Sequence, residues 1–236
     1  GLWGETAVAE GEDAAGSIRH RLARRAEQRA ARAADGCLPI AEALAAEVEG
    51  WGARVLGVAP NVVDADRFAP GAKDGALVKA LGLGAGPVVG YVGSLRRLEG
   101  LDTMLDALAD VPEAKLLLVG DGPERDEVAQ VAARRGLTDR VVLPGRVPAE
   151  AVPAYYRLID VFWVTRPDAP VTRLVTPLKP LEAMATGLPV IASRLPALLE
   201  QVGQDGQRGL AFPPGDADRL ARLTRALLAD PERRRR

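Results

Sequence analysis

From Pro87 onward the chain alternates short apolar runs with amphipathic stretches, and that alternation predicts strands and helices in turn. PVVGYVG (87–93), KLLLVG (115–120), RVVLPG (140–145) and DVFWVT (160–165) are runs of strand length without a polar face, as expected where both faces of a sheet are covered. Between them, Leu101 to Ala109, Glu124 to Arg135 and Ala149 to Leu158 carry helical spacing. Val190 to Ala192 and Gly209 to Phe212 continue the strand series, and Ala217 to Leu228 follows as a helix. This order predicts an α/β fold: a Rossmann-like parallel sheet with helices on both faces. Ligands of such sheets bind beyond the carboxyl ends of the strands.

The N-terminal part reads differently. Gly1 to Gly16 is polar and rich in small residues, with little to hold it. From Ser17 to about Ala34, the residues Ile18, Leu22, Ala26, Ala30 and Ala33 recur at helical spacing among Arg19, Arg21, Arg24, Arg25, Arg29 and Arg32. A basic amphipathic helix of this kind lies on an anionic membrane surface or packs on a core with a solvated outer face. Its alanine-rich apolar side favours the second reading and puts His20 at the surface. Cys37 to Ile40 and Arg54 to Ala59 read as strands around a helix from Ala41 to about Glu49, with Cys37 as a small core residue. PNVVDADRFAPG (60–71) is a connector anchored by Phe68, dividing the chain into units 1–57 and 58–236. Its Asp64-Ala-Asp66 spacing is one that some transferases use for a divalent cation, but here it reads as part of the linker.

Composition narrows the function classes. At 236 residues the chain can bury a sizeable core, and a formal charge of −1 gives no electrostatic case for nucleic acid. Cys37 and His20 are the single residues of their kinds, which removes disulfide frameworks, cysteine clusters and two-histidine sites within the chain. No apolar run reaches the roughly 20 residues of a membrane span. Without a recognisable signal peptide the cytoplasm is the expected compartment. The start at Gly1 and the stop at Arg233 to Arg236 read as a fragment cut within its terminal helix, the arginines being a solvated face.

The candidate chemistry centres on VTPLKPLEAMATGLPVIAS, Val175 to Ser193. Thr176-Pro177 marks a helix entry, Gly187 a left-handed C-cap, and Pro189 the start of a buried strand. Lys179 and Glu182 share a helix face at a spacing of three. They could hold a phosphate and a sugar hydroxyl beside the helix start, or form an ordinary surface ion pair. Gly93-Ser94, Gly120-Asp121-Gly122-Pro123 and Gly145-Arg146 all follow strands, so they line the edge where a ligand binds. Gly82-Leu-Gly84-Ala-Gly86 imitates a dinucleotide fingerprint but precedes a strand, so it reads as a plain loop. Three strand-end glycine turns converging on Lys179 and Glu182 favour a nucleotide-type ligand.

ARAADGCLPIAEAL, APNVVDADRFAP, VVGYVGSLRRLEGLD, KLLLVGDGPERDEV, RVVLPGRVPAEAVPAYYRLIDVFWV and PLKPLEAMATGLPVIAS, with Glu200 following, occur in an order and spacing that resemble a known family. The chain resembles the C-terminal, donor-binding half of a family 4, retaining glycosyltransferase of the GT-B fold. The opening GLWGETAVAEGEDAAGSIRHRLARRAE resembles the tail of the acceptor half in exopolysaccharide-type members. The resemblance implies that 1–57 is a remnant of the N-terminal acceptor domain and 58–236 the nucleotide-sugar-binding domain.

Glu182 would then be the second glutamate of the family's Glu-x7-Glu motif, accepting from the ribose hydroxyls. Thr176, Pro177 and Leu178 would face the donor phosphates or sugar, Arg146 and Val147 would border the base, and Gly93-Ser94 would approach the pyrophosphate. This sequence departs from the pattern where the first glutamate is Leu174 and where the usual cations after the Gly93 turn are Ser94 and Glu99. Arg96, Arg97, Arg173 and above all Lys179 are the substitutes, with Lys179 as the expected catalytic cation and Arg96 beside the donor.

The implied reaction is transfer from a UDP- or GDP-linked sugar to a glycan or lipid-linked acceptor, with neither metal nor cofactor. A peripheral contact with the inner membrane face fits such acceptors. Two alternatives are a nucleotide-sugar-binding module without catalysis, and an epimerase, which would need acid/base residues not evident here.

Overall fold

The computed structural model describes residues 2–203 and 207–230. The β-branched and leucine-rich runs form six strands: β1 (Val88–Val92), β2 (Lys115–Val119), β3 (Val141–Gly145), β4 (Val161–Val164), β5 (Val190–Ser193) and β6 (Leu210–Phe212). All pair in parallel in the order β3-β2-β1-β4-β5-β6, so the direction of winding reverses between β1 and β4. Every residue of β1, β4 and β5 is buried, which is why these runs show no alternation.

Eleven helices accompany the sheet among the described residues. α1 (Trp3–Ala9), α2 (Ile18–Ala33), α3 (Glu42–Gly50) and α4 (Gly75–Ala80) precede it. α5 (Leu101–Ala109), α6 (Arg125–Arg134) and α7 (Val152–Tyr156) connect its first strands. α8 (Pro170–Leu174), α9 (Lys179–Ala185), α10 (Pro196–Val202) and α11 (Ala217–Ala229) follow β4. α5 has the bounds expected from its spacing, whereas the helix expected from Ala149 to Leu158 is a short 3-10 turn leading into α7. α9 begins two residues later than Pro177 implies, with Pro180 in its first turn. Gly187 takes φ +82°, and its N–H donates to the Met184 carbonyl, closing the helix as expected. The run Arg233 to Arg236 lies outside the described residues.

Beneath the strand ends runs a column of aromatic rings. Phe68 in the connector meets Tyr156 edge-on at 5.6 Å; Tyr156 stacks on Phe162 at 5.4 Å, and Phe162 on Tyr91 at 6.3 Å. The column ties the connector to α7, β4 and β1, the elements flanking the reversal point. Trp163 is fully buried and donates through Nε1 to Thr224 on α11 at 3.0 Å.

The first 57 residues depart most from the expected pattern. Residues 3–9 form a helix that packs on α2, with Leu2 and Gly4 buried. A side chain at Gly4 would press on Ala23 and His20, so its hydrogen lets α1 and α2 approach closely. His20 is accordingly not a surface residue; it is 9% exposed. Its Nδ1 accepts from the Gly16 N–H at 3.0 Å, and Nε2 lies 3.2 Å from Glu5 Oε1. The face that packs is that of His20 and Ala23, while Ile18 and Leu22 stand 70% and 57% exposed. The strands expected at Cys37 to Ile40 and Arg54 to Ala59 reduce to one parallel bridge between Cys37 and Val55. Leu38 and Leu56 are exposed there, and Cys37 is only half-buried. Asp64 in the connector accepts from the Asp66 and Arg67 N–H groups, which makes its carboxylate a turn cap.

One carboxylate joins this segment to the sheet. Glu200 on α10 accepts from the N–H groups of Glu42 and Ala43 at 2.9 and 3.0 Å, capping the start of α3, where Ala41 has no side chain to do so. Replacing Glu200 with Ala is expected to lower stability by about 1 kcal/mol, the usual cost of a lost N-cap, measured by urea unfolding.

Candidate functional site

The reversal of winding puts the ends of β1 and β4 side by side, opening a crevice beyond their carboxyl ends. Gly93 follows β1 and Arg166 follows β4 by two residues; Glu99 and Lys179 project between them. The three strand-end glycine turns are joined in series. The Gly93 N–H donates to Val119 O at 2.8 Å and the Gly120 N–H to Gly145 O at 3.0 Å. Gly120 has φ +136°, and a Cβ there would fall on the Gly93 carbonyl, so only glycine lets the first two turns touch.

Lys179, from the first turn of α9, lays its stem directly over Gly93, where a Cβ would collide with Lys179 Cε and the Tyr91 hydroxyl. Its ammonium reaches the Glu99 carboxylate at 2.9 Å and stands 5.3 Å from the Tyr91 ring centre. Glu99 is 5% exposed. Its second partner is Arg166, whose Nη2 and Nε lie 3.2 and 3.5 Å from the two carboxylate oxygens. The Arg166 Nη1 also donates to Val175 O at 3.2 Å, fixing the loop that leads to α9. Burial alone would raise the Glu99 pKa, but Arg166 and Lys179 outweigh it and hold the carboxyl below its ordinary value. Burial, and then the Glu99 charge, push the Tyr91 hydroxyl the other way, well above its ordinary value.

Glu182, one turn further along α9, does not pair with Lys179. It accepts from the Tyr156 hydroxyl at 2.6 Å and is half-buried. Burial, followed by the Glu182 charge, raises the Tyr156 pKa, so this hydroxyl remains a donor. The loop before α9 is held from both sides. Asn61 donates to the Thr176 carbonyl at 2.9 Å, and Gln201 donates to the Pro177 carbonyl at 2.7 Å. Thr176 and Pro177 are buried as a result, and Leu178 is 46% exposed.

The other expected residues fall at varying positions around this cluster. Ser94 is exposed, and its carbonyl accepts from Tyr91 at 3.0 Å. Arg96 is turned toward Glu10 at the end of α1, 3.9 Å away. Glu10 is half-buried against this turn, and burial raises its pKa against the pull of Arg96. Arg146, exposed, and Val147, half-buried, follow β3, two strands from β1. That separation is roughly 10 Å across the sheet. Arg173 pairs with Asp168 at the surface, and Leu174 lines a cavity of about 700 Å³ together with His20, Glu27 and Trp51. Arg166 is the principal residue absent from the sequence-based set. Its signal lies in the sequence, since it follows a buried strand at the same edge as the strand-end glycine turns.

The chain matches the family described as "Glycosyl transferases group 1" over residues 86–230, more than half its length, and it belongs to that family. It is 35% identical over 225 residues to a 2-deoxystreptamine glucosyltransferase of Streptomyces kanamyceticus, covering 91% of this chain and 56% of that protein. It is also 35% identical over 182 residues to a GDP-mannose-dependent alpha-(1-6)-phosphatidylinositol monomannoside mannosyltransferase of Mycolicibacterium smegmatis, covering 74% of this chain and 47% of that one. The chain thus spans about half the length of the curated relatives it matches. Among solved structures it is similar to HepE of Anabaena in complex with UDP-glucose: TM-score 0.79, 25% identity, 92% of this chain and 61% of that chain. It is likewise similar to sucrose-phosphate synthase of Thermosynechococcus elongatus: TM-score 0.77, 28% identity, 97% of this chain and 58% of that chain. The fold is that of GT-B glycosyltransferases.

The Glu99 cluster has a thermodynamic signature. Its native pKa lies below the ordinary 4.5, so its stabilising charge is fully present above 4.5 and is lost as pH falls through the lower native value. Stability measured by urea unfolding is therefore expected to fall below about pH 4.5 less steeply in Glu99→Gln than in the unsubstituted chain.

Proposed function

We infer that this chain is the donor-binding part of a retaining, metal-independent glycosyltransferase of family 4. It uses a UDP- or GDP-linked sugar, with a glycan or lipid-linked acceptor in exopolysaccharide-type synthesis at the cytoplasmic membrane face. Residues 1–57 are the remnant of the acceptor domain and 58–236 the nucleotide-sugar domain. The observation that carries the reading is Lys179 lying over Gly93 at the reversal point of the sheet, where a diphosphate would meet a cation and a turn without a side chain.

The separation along the sheet supports the placement of the donor. With the diphosphate over Gly93 and Ser94, a span of roughly 10 Å reaches Arg146 and Val147 at the end of β3 for the base. Glu182, oriented by the Tyr156 hydroxyl, accepts from the ribose hydroxyls. Thr176, Pro177 and Leu178 form the wall nearest the transferred sugar, kept in place by Asn61 and Gln201. HepE carries UDP-glucose and the mycobacterial relative is named for GDP-mannose, and both donors have the diphosphate this site is read to hold.

Lys179 would stabilise the charge that develops on the departing nucleoside diphosphate. Glu99 is neutralised by two cations and Glu182 is engaged by Tyr156, so neither stands as a free base. That supports the donor's own phosphate oxygen as the base, which is the route to retention. Arg96 joins the donor only by leaving Glu10.

Calorimetry with UDP, GDP and uridine tests the reading. Glu182→Ala is expected to abolish nucleotide binding with the circular dichroism spectrum unchanged. Lys179→Ala is expected to weaken diphosphate binding about tenfold while changing uridine binding little, since one charge-assisted contact is removed. Equal losses for UDP and uridine would sink the phosphate role of Lys179.

A further inference from the structure

Glu99 is an acidic residue buried beside a turn read as a phosphate site, where a carboxylate repels the ligand. Its surroundings resolve the conflict. Oε1 is shared by Lys179 at 2.9 Å and Arg166 at 3.2 Å, and Oε2 lies 3.5 Å from Arg166 Nε. The two cations differ in freedom. Arg166 is 12% exposed and anchored a second time on Val175 O, whereas Lys179 is 20% exposed, ends a flexible stem, and has Glu99 as its one ion-pair partner among the described residues. Removing Lys179 from Glu99 leaves the carboxylate still paired with Arg166, so no buried charge is stranded.

We propose that Glu99 holds Lys179 in a resting position from which an arriving diphosphate takes it by a side-chain rotation, with Arg166 remaining as the counter-charge of Glu99. Glu99 and Arg166 are then positioning residues that set phosphate affinity without touching the ligand. The cluster is net positive by one charge with the ligand absent, and the ligand replaces the carboxylate at Lys179 rather than adding to it. This proposal rests on the reading of the Gly93 turn as the diphosphate site.

The test is titration calorimetry of UDP and uridine with the unsubstituted chain, Glu99→Gln and Arg166→Gln. Glu99→Gln releases Lys179, so UDP is expected to bind about three- to tenfold tighter, with uridine unchanged. Arg166→Gln leaves Glu99 dependent on Lys179, so UDP is expected to bind about tenfold more weakly, again with uridine unchanged. Opposite signs confined to the diphosphate are the result that damage to the fold does not produce. Weaker UDP binding in Glu99→Gln, or no change in either variant, overturns the proposal while normal binding by the unsubstituted chain leaves the function reading standing. An unsubstituted chain that binds neither UDP nor GDP overturns both.

A second measurement is independent of the folding of any variant. With the lysines carrying ¹³C-methyl labels, the Lys179 signal is expected to shift on adding UDP but not uridine, while Lys73, Lys79 and Lys115 stay in place. A Lys179 signal indifferent to saturating UDP overturns the exchange.

Discussion

A carboxylate cannot stay ionised inside a protein without partners, and Glu99 and its two partners come from three separate parts of this chain. Arg166 leaves the end of β4, Lys179 starts α9, and Glu99 itself lies in the turn that links β1 to α5. One buried charge therefore sets the relative position of the elements around the crevice. The same contact draws the Lys179 stem across Gly93, and Arg166 extends the restraint to the loop before α9 through Val175 O. Glu99 occupies a position where relatives of this type were expected to place a cation, so the positive potential has moved from the turn to the two side chains that surround it.

The scaffold beneath explains why such a cluster can be held still. Strands buried on both faces leave their carboxyl ends as the exposed edge of a rigid layer, and the aromatic column from Phe68 to Tyr91 supports the point where winding reverses. The strand-end glycines bring the backbone turns into contact with one another, leaving the edge free of side chains where a ligand's phosphates are read to lie. The charged side chains of the Glu99 cluster enter from α9 and from the turns after β1 and β4. Geometry and chemistry are in this way supplied by different parts of the sequence.

That division also explains what could be read from residues alone. The sheet was legible because Val88–Val92, Lys115–Val119 and Val161–Val164 are apolar runs bounded by turn residues, and α5 because its burial follows a helical period without interruption. Gly93, Gly120 and Gly145 were legible through their place after strands. α8 and α10 escaped because each is short and opens on a proline, Pro170 or Pro196, whose signal as a helix start competes with its reading as a loop. His20 was misplaced because its burial depends on Gly4, which lies on another helix and lets the two approach. The partners of Lys179 and Glu182 were not legible at all. Their spacing of three places both on one helix face, with an ion pair between them as one of two readings, yet tertiary contacts give Lys179 to Glu99, 80 residues away, and Glu182 to Tyr156, 26 residues away. Local spacing records which residues share a face and leaves open what that face meets.

A crystal structure of this chain with UDP bound tests whether a nucleoside diphosphate lies across Gly93 with Lys179 as its cation. The diphosphate is expected over Gly93 and Ser94, with Lys179 Nζ within hydrogen-bond distance of a phosphate oxygen, about 2.7–3.0 Å, and Arg166 still on Glu99. A diphosphate bound elsewhere on the edge, with Lys179 still on Glu99 and away from phosphate, would contradict it.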